Sequence, residues 1–160
     1  YSSAASDVYK RQIRKFADIP EQFTLAVSLH SAIQSTRNKI MPGVKKYTLL
    51  RLHEALQLYT EKTGRRPTYE YAMIEGVNDT NPEMQALCDF CEGTLCHVNL
   101  IQLNDIEGSP LKPSPIHKVE DLQRRLESRG IETTIRNSRG NDIDAACGQL
   151  KQRFKVQKNA

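Results

Sequence analysis

The stretch RPTYEYAMIEGVNDTNPEMQALCDFCEG, residues 66–93, reads as a strand, a turn and a helix in succession. Tyr69, Tyr71 and Met73 alternate with Glu70 and Ala72, the period of a strand with two unlike faces. Asn78, Asp79 and Thr80 then open a helix. Pro82 falls in the first turn, where a missing N–H costs nothing. Met84, Leu87, Cys88 and Cys91 recur at i, i+3, i+4 and i+7, one stripe of a helix. HVNLIQLN (97–104) follows as another strand. Strand, crossover helix and strand in that order make a βαβ unit, and such units build parallel sheets.

The same alternation extends both ways. Upstream, FTLAVSLH (23–30) reads as a buried strand and SAIQSTRNKIMPGVKK (31–46) as a polar loop around Pro42-Gly43. TLLRLHEALQLYTEKTG (48–64) is a helix with Leu52, Ala55, Leu56 and Tyr59 on one face, Thr48 as its cap and Gly64 as its stop. Downstream, the Pro-rich DIEGSPLKPSP (105–115) leads into a helix at VEDLQRRLESRG (119–130), and IETTIRN (131–137) is a last strand. The expected fold is α/β, parallel strands alternating with helices, either a small doubly wound sheet or part of a barrel. In both, ligands bind beyond the C-terminal ends of the strands. Those ends are Ser28-Leu29-His30, Glu75 to Asp79, and Gln102-Leu103-Asn104.

Composition sets outer limits. The chain has 160 residues, enough for one domain, and a net charge of +4; its 38% of hydrophobic residues is low for a globular domain though gathered in clear apolar runs, and its 26% of charged residues is average. The mild basicity permits a nucleic-acid partner. No run approaches the roughly 20 apolar residues of a membrane span, and the N-terminus has no apolar leader core. Four irregularly spaced cysteines do not form a disulfide framework, so a reducing, cytoplasmic setting is expected. Residues 1–12, YSSAASDVYKRQ, are small and polar and read as a non-native adaptor, leaving 13–150 as the domain and 151–160 as a basic tail.

Four features could carry chemistry. Cys88-Asp89-Phe90-Cys91 is a CxxC with Cys96 nearby, but both cysteines continue an apolar helical stripe and no second ligand pair completes a site, so core packing is the stronger reading. His30, closing a strand, is either a hydrogen-bonded structural histidine or a site residue; His53, His97 and His117 read as structural or exposed. Arg136, Arg139, Lys151, Arg153, Lys155 and Lys158 make the last quarter basic, either a solvated face or a phosphate contact. Cys147, in RGNDIDAACGQL (139–150), is flanked by Ala145, Ala146 and Gly148, which leave its sulfur sterically open. It is either a small buried apolar group or an accessible thiol.

AVSLHSA, YEYAMIEGVND, VNLIQLN and RGNDIDAACGQL, in that order, resemble the C-terminal half of the RlmN-type radical S-adenosylmethionine (SAM) methyltransferases. The resemblance implies the C-terminal portion of a partial (β/α)6 barrel. It also implies methylation of carbon 2 of an adenine in 23S ribosomal RNA and, in some members, tRNA. Cys147 matches the family's methyl-carrying cysteine: one SAM methylates the thiolate to S-methylcysteine, and a second, cleaved at a [4Fe–4S] cluster, supplies the radical that activates that methyl group. An electron donor of flavodoxin type is implied for the cluster. Ser28, Leu29, His30 and Asn104 match SAM-contacting positions; Gln102 stands where a proline is usual. Glu70 and Asn78-Asp79 fall in family-like positions without an assigned role. The cluster-binding CxxxCxxC is not found, so its ligands are expected upstream, no metal ligand is assigned here, and the chain alone is expected to be inactive and prone to aggregate along a severed barrel edge. The Cfr-type methyltransferases, acting on carbon 8 of the same adenine, are the close alternative; a non-catalytic α/β RNA-binding module is the alternative of another class.

Overall fold

The computed structural model describes residues 11–137. A leading helix, α1 (residues 11–18), precedes β1 (Ala26–Ser28), α2 (Gln34–Ile40), a short 3-10 turn at Pro42–Val44, α3 (Leu49–Thr63), β2 (Thr68–Met73), α4 (Asn81–Cys91), β3 (His97–Gln102), α5 (Ile116–Glu127) and β4 (Glu132–Asn137). The four strands form one wholly parallel sheet in the order β1-β2-β3-β4. That order settles what the sequence left open. A doubly wound sheet reverses its strand order at a switch point, and this one does not. Because parallel crossovers are right-handed, strands laid down steadily in one direction put every crossover helix on the same face, as in an arc of a barrel wall.

Burial follows that one-sidedness. Along β2, Tyr69, Tyr71 and Met73 are buried while Thr68, Glu70 and Ala72 are only half-buried. In β3, Val98 and Leu100 are buried between half-buried His97, Asn99 and Ile101. The buried set packs with Leu52 and Leu56 of α3, Met84, Leu87, Cys88 and Cys91 of α4, and Val119, Leu122 and Leu126 of α5. A smaller cluster of Ile13, Ala55 and Tyr59 holds α1 against the outer side of α3.

Local chemistry starts and stops the helices as their residues dictate. The Thr48 hydroxyl accepts from the Arg51 N–H at 3.3 Å, and Gly64 ends α3 in the left-handed conformation at φ 65°. Pro82 occupies the first turn of α4. One expectation fails: residues 31–46 are not all loop. The helix α2 has a single buried apolar side chain, Ile40, so no apolar period marks it. Side chains stabilise it instead. Gln34 Nε2 donates to Asn38 Oδ1 at 2.8 Å, and Gln34 Oε1 accepts from the Leu49 N–H at 2.7 Å. Helix α5 also begins earlier than its apolar stripe, directly after Pro115.

Leu100 lies fully buried in the middle of the sheet, whereas Leu50 is 69% exposed. Leu100→Ala should cost about 2–5 kcal/mol, the transfer loss plus a cavity, and Leu50→Ala no more than about 0.5 kcal/mol. Chemical denaturation of the two variants beside the parent chain checks the pair.

Candidate functional site at the strand ends

The C-terminal ends of β1 and β2 are tied together by one side chain. Asn78, fully buried, donates through Nδ2 to the His30 and Ala72 carbonyls, both at 2.7 Å. Its Oδ1 accepts from the Ile74 N–H at 2.7 Å, and its backbone carbonyl accepts from the Tyr71 hydroxyl at 2.9 Å. The neighbouring Asp79 braces the same turn to α5. Its carboxylate accepts from the Gly76 N–H at 2.7 Å, the Ser114 hydroxyl at 2.8 Å and the Lys118 ammonium at 3.1 Å. Burial alone would raise the Asp79 pKa; these three donors outweigh it and hold the group below the usual carboxylate range. Both residues sit where the sequence placed a candidate site, and both are spent on building it.

His30 is the most constrained residue at the rim. Its backbone lies at φ 56°, the only non-glycine with positive φ among the described residues. Its Nδ1 accepts from the Ala72 N–H at 3.0 Å, which places the ring proton of the neutral form on Nε2. Burial, with the Arg37 charge as the second cause, lowers its pKa to about 4, so the imidazole is neutral near pH 7. Strain of this kind persists where surrounding bonds over-determine the backbone. Here the Asn78 contact on the His30 carbonyl and the Ala72 contact on its ring do so.

The other residues singled out by sequence are placed differently from one another. Ser28 is exposed at the end of β1. The Leu29 side chain is wholly buried in the core, with its N–H donating to the Glu70 carbonyl at 3.0 Å, leaving its carbonyl free of these contacts. Asn104 is exposed just beyond β3. Cys147 and the basic residues from Arg139 onward lie outside the described residues.

Register reveals a polar row that sequence reading missed. Ser28, Glu70, Asn99 and Thr134 are aligned across all four strands on the face without helices. Asn99 Nδ2 donates to both Glu70 oxygens, at 3.2 and 3.0 Å, and the Thr134 hydroxyl donates to Asn99 Oδ1 at 3.2 Å. His97 continues the network, 3.2 Å from the Thr134 hydroxyl. Part of the signal was present in the strands: Thr68 and Glu70, His97 and Asn99, and Glu132, Thr134 and Arg136 fall at alternate positions of β2, β3 and β4. A parallel sheet covered on both faces would be apolar at both sets of positions.

SAM brings ribose hydroxyls, an ammonium and a carboxylate. The hydroxyl, carboxylate and amide groups of this row, with exposed Ser28 and Asn104 above it, offer partners of matching polarity, so the residues fit that cofactor. They do not fit an iron–sulfur cluster. Cys88, Cys91 and Cys96 are buried on the helical side of the sheet, and burial raises the Cys88 pKa. Among the described residues no group of three His, Cys, Asp or Glu is arranged to hold a metal. None of the described helices is long and apolar enough to cross a membrane.

Such a sheet, singly wound and polar on its inner face, is an arc of a β/α barrel wall, and a solved structure that shares it is a radical SAM enzyme. A radical SAM methyltransferase from Sphaerobacter thermophilus, known by crystal structure, superposes with a TM-score of 0.78 and 40% identity over 88% of this chain and 41% of that one. A domain of a pyruvate-formate lyase-activating enzyme from Bacteroides vulgatus shares the fold at a TM-score of 0.60 and 13% identity, covering 84% of this chain and 91% of that one. No protein-family model matches the sequence. Among curated proteins, the probable dual-specificity RNA methyltransferase RlmN of Alkaliphilus oremlandii is 44% identical over 142 residues, 89% of this chain and 41% of that protein. Its namesake from Flavobacterium psychrophilum is 45% identical over 140 residues, 88% and 40% respectively. The chain is therefore a relative of the RlmN methyltransferases, and it spans about two fifths of the length of those it matches.

Two measurements test the rim. Asn78→Asp turns the donor facing two carbonyls into an acceptor, and should destabilise the chain by about 3 kcal/mol or more, as for an unpaired buried charge; an unchanged denaturation midpoint would refute the staple. His30 is harder to protonate folded than unfolded. Its contribution is therefore complete above pH 6.5 and is lost as pH falls from there to about 4, a total of about 3 kcal/mol. His30→Asn, which tolerates the left-handed backbone, should flatten the difference in stability across that window.

Proposed function

We propose that this chain is part of a radical SAM RNA methyltransferase that adds a methyl group to carbon 2 of an adenine in 23S ribosomal RNA, with tRNA as a second substrate. The observation that carries most weight is the 43–45% identity, over nearly all of this chain, to proteins named as dual-specificity RNA methyltransferases. The polar row on the inner face of the sheet, open at the strand ends, supports a small polar cofactor there.

When bound, SAM supplies the methyl group. The Ser28 hydroxyl, the Leu29 backbone, His30 and Asn104 hold it at the strand ends. Glu70, kept in place by Asn99, offers an acceptor on the inner face of the sheet. Neutral His30 presents a fixed Nε2–H donor and adds no charge that would repel a sulfonium. The Asn78 and Asp79 contacts hold this rim rigid while a large substrate docks. Cys147, outside the described residues, is the thiol that carries the methyl group as S-methylcysteine on its way to the base. Small neighbours on both sides suit a sulfur that must meet two bulky partners in turn. The cluster and its electron donor belong to the whole enzyme.

In the full-length protein, Cys147→Ala should bring methyl transfer to adenine down to background, and mass spectrometry of the unsubstituted protein should find a methyl group on that sulfur. Undiminished transfer by the variant would overturn the thiol's role. Nucleoside analysis of the modified RNA checks the ring position, a carbon-8 product reassigning the enzyme to the Cfr type.

A further inference from the structure

We infer that the segment from Lys39 to Arg51, which links β1 to α3, is a surface that contacts the phosphates of the RNA substrate. The inference rests on the RNA methyltransferase reading above and adds where on this chain the nucleic acid lies.

Position comes first. In a parallel β/α arrangement each helix starts at the C-terminal end of the preceding strand, so α2, the turn at Pro42–Val44 and the first turn of α3 all lie at the end of the sheet where Ser28, His30 and Asn104 sit. The segment therefore flanks the strand ends that a substrate would reach.

Its charge is one-signed. Between Glu21 and Glu54 the sequence has Arg37, Lys39, Lys45, Lys46 and Arg51 and no acidic residue. Arg37 is buried and structural: its guanidinium donates to the Ser28 and Tyr47 carbonyls, each at 3.4 Å. The other four enter no ion pair among the described residues. Several basic side chains elsewhere find acids: Lys62 pairs with Asp18, Arg66 with Glu132, Lys112 with Asp105, Lys118 with Asp79 and Arg129 with Asp89. Among the described residues, three of the four lysines outside this segment pair with an acid, and none of the three inside it does. Unneutralised lysines at fixed points are what phosphate contacts require, and they set the register of a nucleic acid without reading its sequence.

The segment is also preorganised. The Arg37 bonds anchor it to the end of β1, and the bond from the Leu49 N–H to Gln34 Oε1, at 2.7 Å, closes α2 onto α3. Lys46 Nζ lies over the Tyr47 ring, 5.3 Å from its centre, a cation–π contact that helps hold the ammonium in place.

The test compares two triple variants of the full-length protein that remove equal charge: Lys39→Gln, Lys45→Gln and Lys46→Gln at the mouth, and Lys62→Gln, Arg65→Gln and Arg66→Gln at the opposite end of α3. RNA affinity is measured against salt concentration by filter binding, with circular dichroism melting to confirm folding. The mouth variant should bind roughly tenfold or more weakly, with a log–log salt slope shallower by about 2 to 3, one phosphate contact per lysine. The opposite-end variant should keep the parent's slope. Equal losses from both variants, or no loss from the first, would overturn the inference and leave the methyltransferase reading standing. Failure of the unsubstituted protein to bind RNA at all would overturn that reading as well.

Discussion

The carboxamide of Asn78 is the constraint on which the rim depends. It is one of the few groups that can donate twice and accept at the same time, and here three of its four hydrogen-bonding opportunities meet two carbonyls and an N–H at 2.7 Å. Those partners belong to three different places: His30 two residues beyond β1, Ala72 next to last in β2, and the bridge residue Ile74 just past it. Without that group, a carbonyl held at the strained His30 and another at Ala72 would be buried unpaired, each costing about 1–3 kcal/mol. The left-handed backbone of His30 and the path of the following loop both presuppose this side chain, while the Ala72 N–H fixes the tautomer of the His30 ring.

One-sidedness is the second constraint. With α3, α4 and α5 all packed on one face, the sheet has its apolar positions at Tyr69, Tyr71, Val98 and Leu100 and its polar ones at Glu70, Asn99 and Thr134. The polar set is not merely left in water. It is bonded laterally, carboxylate to amide to hydroxyl, so that Glu70 is held at a defined place on the inner face. A carboxylate so restrained loses little further freedom when a ligand arrives, which is the advantage of preorganisation.

The sequence shows the elements more readily than the site. Strong periods at 48–64, 66–76 and 81–91 mark α3, β2 and α4, and Thr48, Gly64 and Pro82 mark their ends because each acts locally. Helix α2 escapes because its stability lies in the Gln34 and Arg37 side chains, whose partners are distant in sequence. Asn78 and Asp79 look like site residues for a good reason, being polar and at a strand end. Only their burial shows that they are spent on structure. The Ser28–Glu70–Asn99–Thr134 row could not be read without register, since the alternation within one strand does not say which of its polar residues lie beside those of the next.

The loop between β3 and α5 is clamped at its far end. Glu75 donates its N–H to the Lys112 carbonyl at 2.9 Å, Ile74 bridges Pro113, and the Ser114 hydroxyl meets Asp79. Between those clamps and the end of β3, most residues are exposed. Loop closure becomes dearer only logarithmically with length, by about 0.6 kcal/mol per doubling. Insertions can therefore accumulate there without disturbing the rim, whereas the tightly bonded turn from Ile74 to Asp79 has no room for one. Variation in the shape of this mouth across its relatives has an inexpensive place to occur, beside the C-terminal end of β3 and away from the turn that holds the strands together.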